Sequence, residues 1–132
     1  MSKIELKYLE KHLYLSLDDG LWLFDTGAPQ SFGNSELLVL EGREFPISSS
    51  FMGLDAGSVS ELAGVQMQGL LGADVINHFD YRIDVQNETI EITEEELELT
   101  GTTLPIKEFM GIPILTVEIS GIEYSMFFDS GA

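Results

Sequence analysis

LFDTGA at residues 23–28 and FFDSGA at residues 127–132 are two versions of one phrase: two apolar residues, Asp, a small hydroxyl residue, Gly and Ala. The aspartates, Asp25 and Asp129, stand 129 − 25 = 104 positions apart. The same offset lays Val117 and Ile119 on Leu13 and Leu15, and Ser120 on Ser16. Each copy therefore reads as an alternating strand, a turn, an apolar strand and the Asp motif. The second turn is Ser120-Gly121 where the first has Asp19-Gly20, so the hairpins match only loosely. The repeat is this unit, not the whole chain.

Strand signals dominate around the repeat. Residues 4–9 (IELKYL) and 13–17 (LYLSL) alternate, Asp18-Asp19-Gly20 supplies a tight turn, and Leu21-Trp22-Leu23-Phe24 is uniformly apolar, as in a strand buried on both faces. Residues 45–64 are rich in Ser and Gly and read as a mobile hairpin or loop. Gly69-Leu70-Leu71-Gly72 precedes a short helix in ADVINHF, and residues 81–85 and 89–92 make a hairpin around Gln86-Asn87-Glu88. The chain is expected to be all-β with one or two short helices.

Composition narrows the partners. The 132 residues, 44% hydrophobic, suffice for a single domain with its own core. A net charge of −17, from 6 Lys and Arg against 23 Asp and Glu, opposes binding to nucleic acid or to an anionic membrane surface. No apolar run approaches the roughly 20 residues of a membrane helix. The N-terminus lacks the apolar stretch of a secretory signal, and there are no cysteines, so a cytoplasmic location is expected.

The motif has a definite chemistry. A carboxylate leaving a buried strand is costly unless donors hold it. Gly permits the sharp turn that presents its N–H to the carboxylate. Thr or Ser bridges to neighbouring backbone, and Ala keeps the next position small. Two such loops facing each other would set two carboxylates side by side, where one retains a proton and the pair titrates as a unit. That pair can activate water and protonate a carbonyl oxygen.

LFDTGA, FFDSGA and the intervening GLLGADVINHFDYRIDVQNETIEI together resemble the pepsin/retropepsin superfamily of aspartic proteases. The resemblance covers most of residues 12–132. It implies a closed pseudo-twofold β-barrel with ψ-shaped loops, a cleft, and a flap over an extended peptide or protein substrate. It further implies catalytic Asp25 and Asp129, loop-bracing Thr26, Gly27, Ala28, Ser130 and Gly131, and an apolar-apolar-Gly strand ending at Gly72. The flap would lie near residues 47–58, with Met52 and Gly53 at its tip. No cofactor or metal is implied.

The second copy breaks off after Ala132. Residues 1–100 match one complete lobe, and residues 101–132 only the opening hairpin of another. Three arrangements compete: the first part of a longer two-lobe protease, the favoured one; a minimal barrel closed by its own short second copy; or a homodimer in which each chain contributes Asp25. Self-processing after Ala132 follows as an expectation from the first. An inactive peptide-binding or assembly module with the same fold is the alternative to an endopeptidase.

Other residues have plainer readings. His12 and His78 lack the spacing of a zinc site. Asn87-Glu88-Thr89 is a polar turn, and Glu94-Glu95-Glu96 a solvated one. Asp74, Asp80 and Asp84 read as helix-start and strand-edge residues, and Trp22 as core or cleft wall.

Overall fold

The computed structural model describes residues 2–132. Fourteen strands and two helices are present among them: β1 (Ser2–Leu9), β2 (His12–Leu17), β3 (Gly20–Phe24), β4 (Phe32–Gly33), β5 (Leu37–Leu40), β6 (Arg43–Pro46), β7 (Ser50–Phe51), β8 (Leu54–Asp55), α1 (Ala56–Ala63), β9 (Gly69–Leu71), α2 (Ala73–Ile76), β10 (Asp80–Asp84), β11 (Thr89–Thr93), β12 (Ile106–Phe109), β13 (Ile112–Ile119) and β14 (Ile122–Phe127). The mainly β expectation holds. A seven-stranded sheet runs β10-β11-β1-β2-β3-β9-β4, and β12-β13-β14 form a separate three-stranded sheet.

The expected closed barrel does not form: among the described residues no sheet closes on itself. The large sheet ends at β10 on one side and at the two-residue β4 on the other. The second hairpin meets it through loops, not by continuing its ladder.

Residues 45–64 do hold a hairpin, β7–β8, but also the eight-residue α1, which the hairpin-or-loop reading omits. Asp55 caps this helix by accepting from Ser58 N–H, while Ser58 Oγ accepts from Asp55 N–H in return, and left-handed Gly64 (φ 72°) ends it. This capping box is written in Asp55-Ala56-Gly57-Ser58, but helix-poor Gly and Ser around it mask the signal.

Two apolar clusters share β3. Trp22 and Phe24 pack on one side with Leu6, Leu15, Leu71, Ile90 and Ile92, and Leu23 packs on the other with Tyr14, Phe32, Met67 and Leu70. This is the strand buried on both faces that its unbroken apolar run predicts. Each large side chain so buried contributes roughly 1.5–3 kcal/mol. Trp22 is wholly buried, and its Nε1–H donates to Asp19 Oδ1 at 2.9 Å, which makes it core rather than cleft wall.

The two hairpins are related more tightly than a single offset suggests. Turn Glu10-Lys11 corresponds to Met110-Gly111, an offset of 100, and Asp18-Asp19 to Ser120-Gly121, an offset of 102. The Asp loops keep 104, so each arm of the second hairpin is two residues longer. An even increment preserves which face each side chain takes. Counted from the turn, Val117 and Ile119 therefore match Leu15 and Leu17 rather than Leu13 and Leu15. At the Asp18-Asp19 turn the positive φ falls on Gly20 (134°), just after it, whereas at the earlier turn both Glu10 (47°) and Lys11 (70°) take positive φ.

Candidate active site

Asp25 leaves the end of β3 under tight main-chain control. Its N–H donates to Leu71 C=O at 3.0 Å, continuing the parallel pairing of Phe24 with Leu71. Gly27 N–H then turns back to donate to Asp25 Oδ1 at 2.9 Å. The second loop repeats the device, with Gly131 N–H donating to Asp129 Oδ1 at 3.0 Å. The two carboxyl groups lie close enough for Asp129 to raise the pKa of Asp25.

The glycines are required by the opposite loop. A Cβ added to Gly27 would collide with the carboxyl group of Asp129, and one added to Gly131 with that of Asp25. Each carboxyl thus rests over the other loop's glycine, which gives both glycines a role beyond turn geometry.

Four hydrogen bonds lock the loops together. Thr26 Oγ1 donates to Phe128 C=O at 2.7 Å and accepts from Ser130 N–H at 2.9 Å. Ser130 Oγ donates to Phe24 C=O at 2.6 Å and accepts from Thr26 N–H at 3.0 Å. Both hydroxyls act as donor and acceptor at once, so neither Val nor Ala could replace them without orphaning backbone groups. The lock matters because the halves are poorly packed elsewhere. A cavity of about 510 Å³, lined by Phe24, Tyr81, Ile106, Pro113 and Phe128 among others, lies between them.

Asp25 titrates abnormally. Burial raises its pKa first, and the hydrogen bond and charge of Asp129 raise it further; the N–H groups of Gly27 and Ala28 pull the other way. The balance lifts it from 3.8 to about 6. A carboxyl that keeps its proton this far can donate to its neighbour, as two acids in contact require.

Behind the first loop, Gly72 comes so close to Ala28 that an added Cβ would stand 2.8 Å from Ala28 O and 2.9 Å from Gln30 C. Ala28 C=O also accepts from Ala73 N–H at 2.8 Å. A small polar network extends this brace. Ser31 N–H and Oγ–H both donate to Asp74 Oδ1, at 2.8 and 2.6 Å, and Ser31 Oγ accepts from Gly72 N–H at 2.8 Å. Asp74 does lie in the first turn of α2. Its second task, holding Ser31 behind the site, was not legible because a 43-residue separation carries no local signal.

Thus Asp25, Thr26, Gly27, Ser130, Gly131 and Asp129 converge, with Ala28 and Gly72 directly behind. Met52 and Gly53 form the tight turn at the tip of the β7–β8 hairpin (φ 51° and 80°), inside the residues 47–58 expected to hold a flap, and Met52 is 86% exposed. Sequence reasoning also passed over His12, whose Nε2 lies 3.0 Å from Ala132 O. His78 follows α2 and packs its ring 5.3 Å from that of Phe45.

Comparison with known proteins returned no match among family models, curated proteins or solved structures. No helix among the described residues is long and apolar enough to cross a membrane.

Proposed function

We propose that the protein is an aspartic endopeptidase of pepsin/retropepsin type, with Asp25 and Asp129 as its catalytic dyad. The single observation that supports this is the reciprocal lock of the two Asp loops by Thr26 and Ser130, which sets each carboxyl over the other loop's glycine. The raised pKa of Asp25 matches a pair that holds one proton between two acids, the splitting known for aspartic proteases.

Hydrolysis by such a pair balances without a metal. The ionised carboxylate takes a proton from water as the water oxygen attacks the peptide carbonyl carbon. The protonated partner gives its proton to the carbonyl oxygen, forming a gem-diol. One carboxyl then gives its proton to the amide nitrogen while the other carboxylate takes a proton from a gem-diol hydroxyl, so the C–N bond breaks to acid and amine and the pair again holds one proton.

The fold reading that accompanies this is one full lobe and the opening hairpin of a second, related by a pseudo-twofold through the dyad. Several of the hairpin's apolar residues are exposed, with Phe109 and Phe127 each at 58% and Ile122 at 56%. Apolar area of this kind suits burial by a completing segment or by a second copy.

The test is incubation with an unfolded, apolar-rich polypeptide at mildly acidic pH. The wild type should cut it, and Asp25→Asn and Asp129→Asn should not. Undiminished cutting by Asp25→Asn removes Asp25 from the mechanism. Binding without cutting by the wild type returns the peptide-binding module.

A further inference from the structure

The loops carrying the two aspartates are twins up to their last residue, and there they part. In the first, Ala28 C=O is held by the main-chain N–H of Ala73. At the matching place in the second, Ala132 C=O is held by a side chain from the other half of the molecule: His12 Nε2, at 3.0 Å and 120 residues away in sequence. His12 opens β2, paired with Leu9 across the Glu10-Lys11 turn. Its Nδ1 faces Glu10 C=O at 3.0 Å, which fixes the ring's orientation. Both ring nitrogens therefore face acceptors, so the neutral Nε2–H tautomer makes the bond to Ala132 and imidazolium makes both.

The contact has a counterpart across the molecule. The Met110-Gly111 turn of the second hairpin reaches back to α2, where Asn77 Nδ2 donates to Gly111 C=O at 2.9 Å. Each hairpin's first turn thus reaches the other half, one toward the Asp129 loop and one toward the helix behind the Asp25 loop.

We propose that His12 is a positioning residue for Asp129. The argument rests on the dyad reading and follows the chain. Ala132 adjoins Gly131, and Gly131 N–H holds Asp129 Oδ1 at 3.0 Å. The Ser130 lock fixes the loop on the near side of Gly131, and His12 fixes it on the far side. Without the imidazole, Ala132 loses this tether to the other half of the molecule, the backbone beyond Gly131 is no longer held, and the Gly131 N–H is free to turn away from the carboxylate. Misplacing a reacting group by about 1 Å can cost about 100-fold in rate.

Two variants separate donor from bulk. His12→Gln keeps an amide N–H near the place of Nε2, and His12→Leu keeps apolar volume without a donor. Two readouts are taken on the full chain: the titration of the Asp25 carboxyl by carbon-13 chemical shift, and kcat and KM on a peptide substrate. In His12→Leu the Asp25 midpoint should fall below about 6 as the influence of Asp129 is lost, while burial still holds it above 3.8, and kcat should drop about 10-fold with KM held within about twofold. His12→Gln should stay near the wild type in both. If Leu at this position prevents folding, His12→Thr, a strand former too short to reach Ala132, carries the same expectation. Wild-type titration in the donor-less variant overturns the proposal, and so does an equal loss in the Gln variant. Should the wild type cut nothing while the donor-less variant still shifts the titration, the latch stands and the hydrolytic reading falls.

Discussion

Replacing Asp25 by Asn should change how stability depends on pH, and the sign follows from the site. The folded Asp25 carboxyl titrates at about 6 against an ordinary 3.8, a raised value. A raised acid contributes its stability below the unfolded pKa and loses it as pH climbs through the folded one, because folding then holds a buried charge beside another acid. At about 1.36 kcal/mol per pH unit, a shift of about two units amounts to about 3 kcal/mol. Asp25 is partly solvated and coupled to Asp129, so about half of that, roughly 1.5 kcal/mol, is the expected effect. Urea unfolding at about pH 4 and about pH 7 measures it. Asn cannot ionise, so the variant should gain about 1.5 kcal/mol over the wild type on going from the lower to the higher pH. The carboxylates away from the pair, including the helix-capping Asp55, are common to both proteins and cancel. A difference of zero, or one of opposite sign, would mean that the two carboxyls do not share a proton in the folded molecule.

Two further substitutions probe the frame. Thr26→Val keeps shape but leaves Ser130 N–H without its acceptor and Phe128 C=O without its donor; it should cost about 2–4 kcal/mol in urea unfolding, and Thr26→Ser under about 1 kcal/mol. Gly72→Ala drives a Cβ against main-chain atoms of Ala28 and Gln30, which cannot swing aside, so it should cost about 1–3 kcal/mol and lower the thermal midpoint.

What could be read ahead of the fold was local or repeated. Alternating apolar residues announced β1, β2, β10 and β11, and the unbroken Leu21–Phe24 run announced a strand with core on both sides. Repetition of Asp-hydroxyl-Gly-Ala pointed to two equivalent loops, and therefore to acids that meet. Where the reading failed, the signal was split or diluted. Helix α1 was hidden because Gly57, Ser58 and Ser60 favour turns, and only the cap and the buried Val59 face reveal it. The closed barrel was inferred from the whole pattern of the resemblance, but closure depends on hydrogen bonds between sheet edges, and β4 and β10 make none with each other.

The chain alone determined which chemistry was on offer: twin acids, each with a glycine donor two residues on and a hydroxyl in between. Such geometry is encoded within a few residues, so spelling suffices. Only the tertiary structure decided that each acid rests on the other's glycine, and that His12, Ser31 and Asp74 meet the segments around the two loops. Those contacts join residues 41 to 120 positions apart, and at such separations pairing depends on how the sheets pack rather than on any local preference of the chain.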